Sequence, residues 1–167
     1  MNLTSFLIEY GIRSTSNFQL KEILNDLNIN GKVLMRDELC NIKTTKNSNI
    51  IMNLQTTMDE GSHWVAIFKS DDLKSDKLKS KGLQYYFDPY GVLPNKEVYN
   101  YFGSEGSLEQ PLIYNKIQVQ QDGTECCGQL SMYFLYQMNR FSTRTEEKAV
   151  EIILSMKKEL EYLQFLA

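Results

Sequence analysis

The sequence predicts a mixed α+β fold: a largely antiparallel sheet packed by helices, with a buried central helix that opens at Cys127. Three observations predict it. Helical periodicity occurs near both ends of the chain. Short aromatic and β-branched runs fill the middle, and a longer apolar run follows residue 127. The order helix, strands, buried helix, surface helix is that of an α+β domain, not of alternating β–α units. The 167 residues contain no repeat and no long Pro/Gly/Ser linker, so one domain over 1–167 is expected.

In Phe18–Leu27, Leu20, Ile23, Leu24 and Leu27 share one helical face. Ser16 with Gln19 three residues on forms a capping-box pattern, and Gly31 is a stop signal. "KVLM" then reads as a short strand. Further strands are expected at "NIIMNL" (49–54), "HWVAIF" (63–68) and "LQYYFD" (83–88), the last halted by Pro89. The lysine-rich stretch joins the second and third of these as a long hairpin connection. "NKEVYNYF" (95–102) suits a short helix, and the alternation in "YNKIQVQ" (114–120) suits a strand. From Cys127, "CGQLSMYFLYQMNR" is apolar on most faces and too long for an ordinary strand, so it reads as a buried helix. Thr145–Leu166 places Val150, Ile153, Leu154, Leu160, Leu163 and Leu166 at helical spacing opposite charged residues.

Composition excludes several classes. Hydrophobic residues at 42% and charged residues at 23% rule out wholesale disorder. Ten tyrosines and eight phenylalanines call for an aromatic core or groove. A net charge of −3 gives no general attraction to nucleic acid. The run Lys69–Lys81 carries five lysines and three aspartates and reads as a solvated loop. No apolar run approaches the roughly 20 residues that span a bilayer. The N-terminal "MNLTSFLIEYGIRS" lacks the basic start of a signal peptide. Three cysteines, two of them adjacent, do not make a disulfide framework and point to a reducing intracellular setting.

The chemistry concentrates in "VQQDGTECCG" (119–128). Adjacent Cys126 and Cys127 cannot supply the usual CxxC bite for a tetrahedral metal, and the chain has a single histidine, so no metal site is expected. A nucleophilic cysteine needs a favoured thiolate, an imidazole within reach and a group that orients the imidazole. Cys127 falls at a helix N-terminus, where the dipole and free N–H groups lower a thiol pKa. His63 starts a strand that can face that helix end. Asp88, at the end of a neighbouring strand in "YYFDPYG", can accept from the second ring nitrogen. Gly128 leaves room for a substrate or an oxyanion. Gln120 and Gln121, seven and six positions before Cys127, are both candidates for a side-chain oxyanion donor. Each residue alone has an ordinary explanation; their joint order does not.

That order, Gly-Ser-His-Trp, Phe-Asp-Pro-Tyr-Gly, then Gln seven positions before Cys-Gly, resembles the adenovirus-type maturation protease. This is a cysteine peptidase of the wider group that includes the SUMO-specific isopeptidases, and the likeness is nearest to the form carried by virophages and Polinton-type elements. "LKEILNDL" and "MRDEL" (35–39) resemble segments of the same family. The resemblance covers roughly Asn17–Arg140. It implies a Cys127–His63–Asp88 triad with Gln120 in the oxyanion hole and Trp64 lining the groove. It departs from the family in having Cys126 directly before the nucleophile. The implied activity is cleavage of capsid precursors after small residues during virion maturation, by a monomer in the virion and the host-cell interior. No cofactor is required for the chemistry. The adenoviral relatives are stimulated by DNA and by a disulfide-linked peptide. On that pattern Cys40 is a candidate linking thiol; by itself it reads as a buried, inert cysteine. The alternatives are a deubiquitinase or SUMO-type isopeptidase, for whose recognition platform 167 residues leave little room, and a catalytically silent capsid-associated protein.

Overall fold

A computed structural model describes residues 1–58, 63–71, 82–103 and 112–164 of the chain. Helix α1 spans Leu3–Tyr10 and α2 spans Asn17–Asp26. Strands β1 (Lys32–Met35), β2 (Asn47–Asn53), β3 (Trp64–Ser70) and β4 (Leu83–Phe87) follow, with a 3₁₀ turn at Arg36–Asn41. Then come α3 (Lys96–Gly103), β5 (Ile113–Tyr114), α4 (Cys127–Arg140) and α5 (Glu146–Gln164).

Local chemistry accounts for the helix starts. Ser16 accepts from the Gln19 backbone N–H while the Gln19 side chain accepts from the Ser16 N–H, a complete capping box. Helix α2 ends earlier than Gly31, through Asn28 at φ 54°. Helix α1 was not legible from hydrophobic period in so short a segment. Asn2 caps it by accepting from the Ser5 N–H, and Gly11 closes it at φ 85°.

The five strands lie in the order β1-β2-β3-β4-β5. β2–β3 and β3–β4 are antiparallel, with seven and five register pairs. The outer pairings β1–β2 and β4–β5 are parallel, with four and two. The sheet is therefore mixed, antiparallel at its centre and parallel at both edges. Helices cover both faces, which explains why every residue of β3 and β4 is buried. Trp64, Ala66 and Phe68 face the core shared with α1, α2, α4 and α5. Val65 and Ile67 face the smaller core closed by Val98, Tyr101 and Phe102 of α3. Phe134 of α4 stacks on Phe87 at 4.7 Å and tilts against Tyr85 at 5.4 Å, seating α4 over β4.

The expected strand at 114–120 is not one: only Ile113–Tyr114 pairs with β4. Beyond it the backbone serves another purpose, since the Val119 and Gln120 N–H groups both donate to the Pro89 carbonyl, at 2.8 and 2.9 Å. Most of the lysine-rich run (72–81), Gly61, Ser62 and Leu166 lie outside the described residues. Among the described residues, no helix is long and apolar enough to cross a membrane.

This topology gathers three chain segments. His63 directly precedes β3 and Asp88 directly follows β4, so antiparallel pairing puts them at the same end of the sheet. α4 is drawn to that end by the buried Ser131 hydroxyl, which donates to the Trp64 carbonyl at 3.1 Å.

Candidate active site

The "FDPYG" segment is a tight turn in which the Gly91 N–H donates to the Asp88 carbonyl at 2.8 Å. Pro89 suits the second position of such a turn. Gly91 is required twice over: it sits at φ 69°, and a Cβ there would come within 2.8 Å of the Ile117 backbone. Asp88 Oδ1 accepts the Tyr90 N–H at 2.7 Å, an Asx turn that aims the carboxylate. Asn115 braces the same residue from behind. It accepts the Asp88 N–H at 2.9 Å and donates to the Asp88 carbonyl at 2.7 Å.

His63 Nε2 donates to that same Asp88 oxygen at 2.7 Å. The carboxylate side chain is 2% exposed and the imidazole 14%, so the pair is shielded from solvent. The Cys127 thiol lies near enough to the same ring to raise its pKa, and with Nε2 held by Asp88 the other ring nitrogen is Nδ1. Burial opposes the imidazolium, but the hydrogen bond to Asp88 and the negative charge of Asp88 and Cys127 outweigh it, and the His63 pKa is pushed up to about 9. Tyr90 lies flat against the imidazole, centroids 4.8 Å apart at 24°, and fixes the ring plane.

Cys127 is the first residue of α4. Its Sγ accepts the Trp64 backbone N–H at 3.4 Å. The first turn of α4 has no acidic side chain and no side-chain cap, so its N-terminal N–H groups remain available to negative charge. The two adjacent thiols have different surroundings. Cys127 meets the imidazole, whereas Cys126 lines a cavity beside the loop, and burial pushes its thiol pKa up.

Gln120 is 2% exposed. Its Nε2 donates to the Thr124 carbonyl at 2.8 Å, and its Oε1 is buried without a partner. Gln121 is half-buried on the cavity side, and its carbonyl accepts from Thr124. The two candidates thus differ in burial, Gln120 being buried and Gln121 half-buried, while both line the same cavity.

Trp64 is not an open groove wall. It is 6% exposed, and its indole N–H donates to the Thr15 carbonyl at 3.1 Å. Gly128 also differs from expectation. Its space is filled, because a Cβ there would collide with Thr15 Oγ1 and lie 3.2 Å from Leu20 and 3.4 Å from Trp64. The glycine lets the 11–15 segment pack onto α4, where Gln129 anchors it by donating to the Arg13 carbonyl at 2.8 Å. Gly128→Ala is expected to destabilise the protein by about 1–3 kcal/mol, read as a lower urea midpoint, because the new methyl collides with Thr15 and crowds Leu20. Cys40 is exposed, not buried, and lies in the 3₁₀ turn.

The sequence singled out His63, Asp88 and Cys127, and the structure brings the three together. It missed Tyr90, Asn115 and Thr124. Tyr90 was legible as the aromatic within Asp-Pro-Tyr-Gly. Asn115 and Thr124 act through long-range backbone contacts that no local pattern announces. Among the described residues, no group of three or more His, Cys, Asp or Glu side chains is placed to hold a metal ion.

No family model matches the chain, and no curated protein is similar to it. Among solved structures, the crystal structure of the ASFV pS273R protease is similar with a TM-score of 0.56 at 17% identity. The match covers 87% of this chain and 67% of that one. The Se-Met ASFV pS273R protease gives a TM-score of 0.41 at 18% identity, over 69% of this chain and 44% of that one. The α+β fold with its five-stranded mixed sheet matches the fold of the first.

Proposed function

We propose that the chain is a viral cysteine endopeptidase, of the adenovirus-type maturation group, that cleaves structural-protein precursors. The observation that carries this reading is the unbroken line from Asp88 through His63 to the Cys127 thiol at the uncapped start of α4. The fold shared with a viral protease and the motif order support the viral assignment.

On this reading the Cys127 thiolate attacks the scissile carbonyl carbon, and the carbonyl π electrons move to oxygen. The His63 imidazolium is the resting acid. Because Asp88 and Cys127 support its charge, it persists at neutral pH and can give its proton to the leaving amine as the C–N bond breaks. Neutral His63 then takes a proton from the water that hydrolyses the thioester, and the thiolate is released. Asp88 keeps Nε2 as the proton-bearing nitrogen that faces it, so Nδ1 stays aimed at sulfur and substrate. The oxyanion is received by the Cys127 backbone N–H and by the second Nε2 proton of Gln120, the first being held by Thr124.

The test needs no substrate. With limiting iodoacetamide from pH 5 to 9 and mass-spectrometric mapping, Cys127 should label well ahead of Cys40 and Cys126 and lose that lead in His63→Ala. Equal, slow labelling of all three thiols would refute the assignment.

A further inference from the structure

One nucleophile beside the site has no part in the mechanism. Cys126 stands directly before Cys127, and both are 7% exposed. The two thiols differ in character. Cys127 Sγ accepts the Trp64 N–H and opens α4, surroundings that favour a thiolate. Burial keeps Cys126 a neutral thiol, and the charge of Cys127 acts in the same direction. Cys40, the third cysteine, sits exposed in the 3₁₀ turn. A reactive thiolate beside a second thiol held in reserve is the pairing that turns oxidation into a reversible bond.

The backbone can yield at this point. Cys126 is the cap residue, at φ −93° and ψ 21°, and no side chain caps the helix there. Its carbonyl accepts the first helical bond, from the Leu130 N–H at 3.0 Å. Upstream, Gly123 sits at φ 81° with open space around it. An S–S bond between neighbours needs such freedom. Adjacent Cα atoms are about 3.8 Å apart across a trans peptide, closer than the roughly 4.4–6.8 Å of an ordinary disulfide. The eight-membered ring is therefore strained and easily reduced, which suits a switch and not a staple.

Resting on Cys127 as the reactive thiol of the reading above, we propose that Cys126 is its resolving cysteine: peroxide closes a vicinal Cys126–Cys127 disulfide that silences the site, and a thiol reductant reopens it. In the first step the Cys127 thiolate attacks hydrogen peroxide. The O–O bond breaks, the sulfur is oxidised by two electrons to sulfenic acid, and hydroxide leaves. In the second step the Cys126 sulfur attacks the sulfenic sulfur. The S–S bond forms, the S–O bond breaks, and the departing hydroxide takes the Cys126 proton to give water. Adjacency makes this step intramolecular, which offsets the reluctance of a buried thiol to give up its proton. A dithiol returns both cysteines to thiols and is itself oxidised to a disulfide. Without Cys126 the sulfenic acid has no thiol neighbour and goes on to sulfinic acid, which thiols do not reduce.

The experiment treats the full chain with hydrogen peroxide, labels it with iodoacetamide under denaturing conditions and sequences the tryptic peptide 117–140 by mass spectrometry. Fragmentation separates cysteine oxidation from that of Met132 and Met138. The peptide should lose two hydrogens, take no label at either cysteine and carry no link to a second chain. Native labelling of Cys127 should fall at least about tenfold with peroxide and return with dithiothreitol. In Cys126→Ala the same treatment should add two oxygens at Cys127, and dithiothreitol should restore nothing. The wild-type mass reads the bond by itself, so a poorly folded variant does not blunt the test. Loss of two hydrogens with Cys126 still labelled marks a ring to a backbone nitrogen. That result, a bond to Cys40 or to a second chain, or sulfinic acid in the wild type, overturns the proposal. If untreated Cys127 labels well ahead of Cys40 and peroxide does not form the vicinal bond, the switch falls alone. If Cys127 has no such lead, the protease reading falls and the switch with it.

Discussion

Cys127→Ala is expected to lower kcat/KM for peptide cleavage by at least about 10⁴-fold and to leave the fold intact. On the proposed mechanism the loss is large because the other groups act through the sulfur: the His63 imidazolium would have no thiolate to pair with, and the α4 N-terminus none to stabilise. The fold survives because the replacement deletes one sulfur at the first turn of a helix that is held elsewhere by Phe134 on Phe87 and by Ser131 on Trp64. Kinetics with urea denaturation on the same preparation separate the two effects. Cys126→Ala should keep most activity, since that thiol faces the cavity and is held neutral by burial. If Cys126→Ala were inactive and Cys127→Ala active, the nucleophile would move by one residue.

Asp88→Asn is expected to lower kcat by about 10⁴-fold with little change in KM, the pattern for losing a group that holds the imidazole in its working tautomer. The variant keeps an oxygen that can accept the Tyr90 N–H, so the turn survives. Its pH behaviour supplies a second reading. The His63 pKa is about 9 in the folded protein against an ordinary 6.5, so between those values the native state binds the proton that the unfolded state releases. The stabilisation is therefore fully present below pH 6.5 and is lost as pH rises through about 9. Wild-type Tm should fall across that window, and the fall should shrink in both Asp88→Asn and His63→Ala. Near-normal turnover in Asp88→Asn would remove the carboxylate from the mechanism.

The parts of this molecule that were legible in its sequence are those governed by local rules. The Ser16–Gln19 box, the β-branched and aromatic content of β3 and the apolar run after Cys127 each declare an element within a few residues. The parts that were not legible depend on what lies across the fold. Residues 114–120 alternate as a strand does, yet the Val119 and Gln120 N–H groups are drawn to the Pro89 carbonyl instead of to a neighbouring strand. Gly128 and Trp64 both look like substrate-facing residues beside a catalytic motif. They are instead covered by the 11–15 segment, whose position depends on a long-range bond from Gln129 to Arg13. Of the candidate site, His63, Asp88 and Cys127 were readable because so few residue types can do nucleophilic and acid–base chemistry. Their supports, Asn115 and Thr124, were not, because any polar residue at the right place would serve.

The Asp88–Gly91 turn joins two parts of the site that chemistry treats as separate. Its carboxylate holds the base, and the carbonyl of its proline holds the backbone of Gln120, the candidate oxyanion donor. On the proposed mechanism, acid–base transfer and charge stabilisation would thus share one frame of four residues. A substitution at Pro89 or Gly91, which touches no substrate, disturbs both in the same event. Double-mutant cycles between His63 and Gln120 should therefore show strong coupling although the two side chains need never meet, and the turn will tolerate less sequence drift than its place on a loop suggests.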